Sequence, residues 1–287
     1  MAYYRGGYKK LIGTFFFMCF VVIIMSLQLL STRNAHERDS RIVFHEGPHV
    51  YEIDGSSEGF VSVTTLNHGY FPQFDADKIV DGLLRNKKRM ADPNYKYHGM
   101  TREAILTSWA ENGRLASEAG TQMHLDIEMF YNEMPVENTS EEYRLFQTFV
   151  QEWPQLEAYR TEWTVFHEEA KIAGSIDMVF RNKETGLFEI YDWKRVKEIS
   201  MTAFRDDDVG LVPPLATMPN TNYWHYALQL NIYQYILREK YGLPVANRCL
   251  IVMHPENAYR RYMRYELPDL QDTVAELVAA RMASFSV

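Results

Sequence analysis

Between residues 41 and 287 apolar and polar positions alternate with two different periods, and each change of period marks a new element. Stretches at about 161–167, 172–181 and 187–195 read as three successive strands. The segment "IVFHEGPHVYEIDGSSEGFVSVTTL" (42–66) predicts short strands around a Gly/Ser turn. "FDADKIVDGLLRNKKRM" (74–90) predicts a helix capped by Asp75, with a basic tail at Arg85, Lys87, Lys88 and Arg89. A loop at 91–99 precedes two helices expected at about 101–112 and 115–133, and a third covers 140–153 with Pro154 just beyond it. After a loop rich in Asp and Pro (206–222), Leu228, Ile232 and Ile236 supply the core stripe of a helix at 223–240. Strands at 248–254 and 260–266 and a helix from Asp269 complete the chain. This order predicts an α/β fold with a mixed central sheet flanked by helices.

The run "LIGTFFFMCFVVIIMSLQLL" (11–30) breaks this pattern, being twenty residues without a charge. At ~1.5 Å per residue it would span roughly 30 Å, the thickness of a bilayer core. It is read as one N-terminal transmembrane helix between a basic tail (1–10) and a linker (31–40), with a single-pass membrane localisation. Arg5, Lys9 and Lys10 place the N-terminus on the cytoplasmic side, although Arg33, Arg38 and Arg41 weaken that bias. A signal peptide, a mitochondrial presequence and a buried core helix are the alternatives. The triplet Asn138-Thr139-Ser140 matches a glycosylation acceptor, a pattern close to background.

Composition narrows the chemistry. The chain of 287 residues carries a net charge of −8, and its first 34 residues hold four basic and no acidic side chains. The remainder is therefore more acidic still, unlike most nucleic-acid binders, although a metal-loaded acidic site would mask part of that charge. Two cysteines, Cys19 and Cys249, exclude a disulfide scaffold, a Cys-type zinc site and an iron–sulfur cluster. There is no phosphate-binding G-x-x-x-x-G-K-[ST] loop.

The chemistry concentrates in "SIDMVFRNKETGLFEIYDWKR" (175–195). "NKETG" (182–186) has the Asn and Gly of a short hairpin loop. A hairpin symmetric about Glu184–Thr185 sets Asp177 opposite Asp192, with Cβ atoms ~4.5–5.5 Å apart. Lys194 joins them on the same face, because strand side chains alternate. The other face would carry Ile176, Met178, Phe180, Leu187, Tyr191 and Trp193, with Glu189 the one polar member. Two facing carboxylates repel unless one is protonated or a cation lies between them. Hard oxygen donors suit Mg²⁺ or Mn²⁺, and a neighbouring lysine can orient a water or accept its proton. The bland alternative is an outward-facing surface ion pair.

The combination of "GSIDMVF" with "EIYDWK" resembles the core of the PD-(D/E)XK nuclease superfamily, and is most similar to its RecB-like exonuclease branch. Two more motifs fit that branch: "GTQMHLDIE" (120–128) resembles its G-x-x-x-H helix, and "QLNIY" (229–233) its Q-x-x-x-Y motif. The likeness covers about 110–255, and the preamble "VSVTTLNHGYFPQFDADKI" resembles members found in large DNA viruses and phages. The resemblance implies a restriction-endonuclease-like core within one domain at 41–287. It implies a metal-dependent nuclease acting on nucleic acid, more on DNA than on RNA and as an exonuclease. His124, Asp177, Asp192 and the carbonyl of Trp193 would hold one or two Mg²⁺ or Mn²⁺ ions. Lys194 would act on the attacking water, while Gln229, Tyr233 and Glu162 belong to the substrate and active-site network.

Each residue also has a plainer reading. His124 alone would be a structural histidine. Its helical face also carries Gly120, Thr121 and Glu128, and small residues there would let the helix approach the sheet. Arg195, Lys197 and the 85–89 cluster are either solvated charges or phosphate contacts. A non-catalytic nucleic-acid-binding module that kept the fold is the alternative function, and a membrane-bound interaction protein is a third.

Overall fold

The computed structural model describes residues 28–257 and 259–285. It is a mixed α/β structure whose six-stranded central sheet combines parallel and antiparallel pairs and is flanked by helices. The elements used below are α1 (Leu29–Arg33), β1 (Ile42–His45), β2 (Val50–Ile53), β3 (Val61–Ser62), α2 (Val63–Gly69) and α3 (Ala76–Arg85). They continue with α4 (Lys87–Met90), α5 (Arg102–Tyr131), α6 (Glu141–Glu152), β4 (Leu156–His167), β5 (Ile172–Asn182) and β6 (Phe188–Lys194). The chain then runs through α7 (Asn222–Tyr241), β7 (Val245–Val252), β8 (Met263–Glu266) and α8 (Gln271–Ala283).

β5 is the hub of the sheet. On one edge it pairs antiparallel with β4 along most of its length. Its other edge is shared: β3 pairs parallel with Ile172 and Ala173, and β6 pairs antiparallel with Met178 to Arg181. Residues 174–177 lie between these partners, so this edge of the sheet opens into a fork. β6 continues to β7 as a parallel neighbour, reached through α7 because parallel strands need a long crossover. β8 closes the far edge antiparallel to β7.

Helices cover both faces. Val179, Ile190, Leu250 and Val252 pack with Leu228, Ile232 and Ile236 of α7 and with α8. Met178, Phe180, Tyr191 and Trp193 pack on the opposite face with Met123 and Ile127 of α5 and Phe146 and Phe149 of α6. The β1–β2 hairpin caps Phe166 and Ala173. Two residues expected on the α5–α6 face lie elsewhere: Ile176 belongs to the α7 cluster, and Leu187 is 39% exposed at the turn.

The hairpin register agrees with symmetry about Glu184–Thr185, with Met178 facing Tyr191 and Phe180 facing Glu189. The turn is closed by Gly186 N–H donating to the Asn182 carbonyl, and Gly186 takes a φ of +72°, which a side chain would oppose. Glu189, inward-facing and 4% exposed, accepts from Asn182 Nδ2 and the Tyr191 hydroxyl.

Several expectations are corrected. The two helices expected at 101–112 and 115–133 are one helix of 30 residues, capped by Thr101 Oγ1 accepting from Ala104 N–H. Propagating a helix through Gly113 costs about 1 kcal/mol, less than nucleating a second one. "VTTL" (63–66) is helical rather than a strand, because Ser62 Oγ accepts the Thr65 N–H and caps α2. Asn86 breaks the 74–90 helix into α3 and the four-residue α4.

The N-terminal boundaries change as well. Residues 11–27 of the apolar run lie outside the described residues. Its last residues belong to the body: Leu30 is 2% exposed and donates its N–H to Asn132 Oδ1 at 3.1 Å. The expected linker at 31–40 is packed on β4, where Arg38 pairs with Glu168 at 2.6 Å and Asp39 with Arg160 at 2.7 Å. No helix among the described residues is long and apolar enough to cross a membrane. The Asn138 side-chain amide donates to Asp126, so the triplet at 138–140 is tied into the fold.

Candidate metal centre

The site forms where the sheet forks. Asp177 is the last residue of the unpaired stretch of β5, and the β5–β6 ladder stops one pair short of it. There its carboxylate Oδ2 replaces a main-chain acceptor and takes the Trp193 N–H at 2.9 Å. The Trp193 carbonyl contacts His124 Nε2 at 2.8 Å. Both polar groups of one peptide residue are thus held by two of the expected site residues. With the proton on Nε2 donated to that carbonyl, His124 turns Nδ1 toward the carboxylates. The carbonyl of Trp193, expected as a metal ligand, serves in this arrangement to orient the imidazole.

Glu162 comes from β4 and lies across from Asp177, between the pairs Thr161–Met178 and Trp163–Ile176. Its φ of +43° falls in the left-handed region, a strain of about 1–2 kcal/mol for a residue with a side chain. The Ser175 hydroxyl donates to Glu162 Oε2 at 3.0 Å. His124 Nδ1 lies 3.5 Å from Glu162 Oε1 and 3.6 Å from Asp177 Oδ2. The ligand atoms of His124, Glu162 and Asp177 all fall within 4.8 Å of one another.

Asp192 and Lys194 stand beside this triad. Lys194 Nζ is 2.5 Å from Asp192 Oδ2, a contact not directed as a hydrogen bond, and it lies 5.0 Å from the centre of the Tyr226 ring. Burial, with the Asp177 charge in addition, pushes the Asp192 carboxyl up to about 6 against the opposing pull of Lys194. Burial would lower Lys194, but the charges of Asp192 and Asp177 outweigh it and hold the ammonium well above its ordinary value. Burial would likewise lower His124, and the charges of Asp177 and Glu162 carry it instead up to about 9. Glu128, one turn along α5, is pushed up to about 7 by burial and by the Glu162 charge.

α7 closes the fork from above. Tyr233 is 3% exposed, and a Cβ on Gly174 would meet its hydroxyl at 2.8 Å and its ring at 2.9 Å. Gly174 is therefore required by the tyrosine lying on β5. By contrast a Cβ at Gly120 would meet nothing within 4 Å, so that glycine does not serve a close helix–sheet approach. Gln229 is turned toward α2, its Nε2 3.3 Å from Thr64 Oγ1.

The expected residues divide accordingly. His124 and Asp177 converge, and Glu162 joins them as a third donor instead of Asp192, which faces Lys194. Arg195 is drawn away from the fork, its Nε 2.5 Å from the buried Glu142, and Lys197 pairs with Glu256 at the surface. His225 packs against Phe71 with ring centres 4.2 Å apart and planes tilted by 41°. Tyr226, packed on Lys194, was not anticipated; its spacing of three and seven residues from Gln229 and Tyr233 is the helical periodicity that signals a shared face.

No family model matches the chain, and no curated protein matches it. Among solved structures it is similar to one described as "Crystal structure of SSO0001", with 15% sequence identity over 92% of this chain and 86% of that one. The TM-score is 0.32, at which the likeness bears on neither fold nor function.

Proposed function

We propose that the chain is a divalent-metal-dependent nuclease of the RecB-like PD-(D/E)XK type, with a restriction-endonuclease-like core, hydrolysing phosphodiester bonds of DNA as an exonuclease. One observation carries the reading: an imidazole nitrogen and two carboxylates within 4.8 Å, with a lysine held beside them. The donor set fits the implied ion, because one imidazole and several carboxylate oxygens suit Mn²⁺ or Mg²⁺. Two like-charged carboxylates gathered at a strained backbone position also fit a site built around a cation.

His124 through Nδ1, Glu162 and Asp177 would hold the ion, and Asp192 borders it. When bound, the metal would polarise the scissile phosphate and increase the acidity of an associated water. Lys194, kept charged by Asp192, acts as a hydrogen-bond donor that orients the attacking water and offsets charge developing on the phosphate. His124 is held in one orientation by the Trp193 carbonyl. Tyr233, buried against Gly174, would serve the fork by holding α7 on β5, and Gln229, turned toward Thr64 of α2, would belong to the surrounding network. Water attacks in line, without a covalent intermediate. A membrane anchor within the apolar run at 11–30 remains part of the proposal, and protease protection of the body in intact membranes tests it.

The direct test is Mn²⁺-dependent digestion of labelled single- and double-stranded DNA. Asp177→Ala and Asp192→Ala should abolish cleavage, and cleavage undiminished in both variants overturns the assignment. DNA binding without any cleavage by the wild type would support a non-catalytic module instead.

A further inference from the structure

The rim that leads away from the fork along α5 differs from the rest of this acidic protein. Four rings touch in sequence, from Phe74 just before α3, through Trp109 in the first turns of α5, to Tyr97 and Tyr95 in the loop between α4 and α5. Phe74 lies 6.0 Å from Trp109, Trp109 lies 6.1 Å from Tyr97, and Tyr97 lies 5.5 Å from Tyr95. Phe74 is 72% exposed, a large apolar ring left in water with no packing role to explain it. Trp109 Nε1–H donates to the Tyr97 hydroxyl at 2.7 Å, which fixes the middle of the row.

Cations surround these rings. Arg89 lies 4.5 Å from the centre of Tyr95, and Lys96 lies 5.2 Å from that of Tyr97. Arg85, Lys87 and Lys88 are exposed, and none of the five cations makes an ion pair among the described residues. Arg102, in contrast, is neutralised by Asp77 and Asp81. A net charge of −8 on the whole chain makes this local excess of free positive charge distinctive.

Position completes the argument. Trp109 and His124 are fifteen residues apart on one helix, about 22 Å along its axis and about 60° around it, so they share a side of α5. Between them residues 110–118 are exposed throughout. The distance corresponds to about six nucleotides at a rise of 3.4 Å, and to fewer in an extended strand.

We infer that the rings of Phe74, Trp109, Tyr97 and Tyr95 form a stacking platform for unpaired bases of a single-stranded nucleic acid whose backbone continues along α5 to the fork. The inference rests on the nuclease reading for the far end of the path only. Aromatic faces take any base, and free cations beside them neutralise the backbone, which is the chemistry of sequence-tolerant single-strand binding. An anionic membrane would use the cations but has no need of a row of rings in mutual contact.

The test measures fluorescence anisotropy of a labelled oligothymidylate of about twenty nucleotides with the full chain in EDTA, so that binding is read without cleavage. Phe74→Ala/Tyr95→Ala should weaken binding at least about tenfold, while Phe74→Trp should retain it. Lys87→Gln/Lys88→Gln should reduce the salt slope by about 1.4, at ~0.7 per single-strand phosphate. Phe74→Ala alone should leave the melting temperature unchanged, since Phe74 is exposed, and should weaken binding in the same direction. In Mn²⁺, the ring variant should slow digestion of the long oligonucleotide but not of a dinucleotide, which is too short to span the path even when extended. Unchanged anisotropy in the ring variant overturns the platform, as does an equal loss toward a blunt duplex. Loss of binding confined to phosphatidylserine vesicles overturns it in favour of a membrane. If the wild type cuts nothing, the nuclease reading fails alone, because the binding comparison is independent of activity.

Discussion

The Asp177 carboxylate accepts the Trp193 backbone N–H at 2.9 Å, and this one contact ends the β5–β6 ladder where the metal-ligand candidates gather. A side chain thereby stands in for a strand partner. The fork is held open by an acid that also belongs to the proposed metal set, so architecture and chemistry depend on the same residue.

Asp177→Asn should separate these two roles. The amide oxygen can still accept from Trp193, while the repulsion with Glu162 and Asp192 is relieved. Thermal stability of the metal-free protein should therefore be unchanged or raised. Mn²⁺ affinity measured by calorimetry should fall at least about tenfold, equivalent to ~1.4 kcal/mol. A large drop in melting temperature with unaltered Mn²⁺ affinity would contradict both statements.

Gly174→Ala should be costly because the new methyl group meets the Tyr233 hydroxyl and ring at under 3 Å. Overpacking of this kind costs about 1–3 kcal/mol. Urea unfolding of Gly174→Ala, Tyr233→Leu and the double variant should show a positive coupling, with the smaller side chain recovering much of the loss. Additive effects would mean that the two residues do not share the space.

Arg195→Ala tests whether this residue is structural or binds phosphate. Removing it leaves the buried Glu142 carboxylate unpaired, a loss of about 2 kcal/mol or more in denaturant unfolding. Arg195→Met/Glu142→Leu should recover stability. In both variants kcat/KM for DNA should stay close to wild type, and a loss confined to KM would return Arg195 to the substrate.

His225 gives a pH signature away from the metal centre. Burial, with the neighbouring His68 charge in addition, pushes it down to about 4 from an ordinary value of about 6.5. The unfolded chain therefore binds this proton first as pH falls. The stabilisation is complete above about 6.5 and is lost as pH falls through about 4. His225→Gln, which keeps a polar group near Asn220, should flatten the fall in melting temperature over that window relative to wild type. Parallel profiles would contradict the assignment.

Much of the scaffold was legible because local chemistry determined it. The Asn182–Gly186 turn set the hairpin register, Asp75 capped its helix, and the stripe of Leu228, Ile232 and Ile236 placed α7 on the sheet. The membership of the acidic cluster was less legible. The hairpin symmetry projects Asp192 opposite Asp177, but the ladder ends one pair short of them and Glu162 is the acid that joins the triad, through a left-handed backbone and a fork set by β3 and β6 together. The Arg195–Glu142 pair and the Phe74–Trp109 contact join residues 53 and 35 positions apart, and no local period announces them. The unbroken α5 was hidden by Gly113, whose local cost the long helix absorbs.

The most direct measurement of the central claim is the rate at which the full chain shortens labelled DNA in Mn²⁺, with Lys194→Ala compared at saturating metal. Lys194 touches Asp192 and Tyr226 and is not among the three converging ligands. The variant should bind Mn²⁺ as the wild type does and lose at least about a hundredfold in kcat, the scale of a lost general acid–base or charge-stabilising group. Cleavage by Lys194→Ala at the wild-type rate would contradict the account.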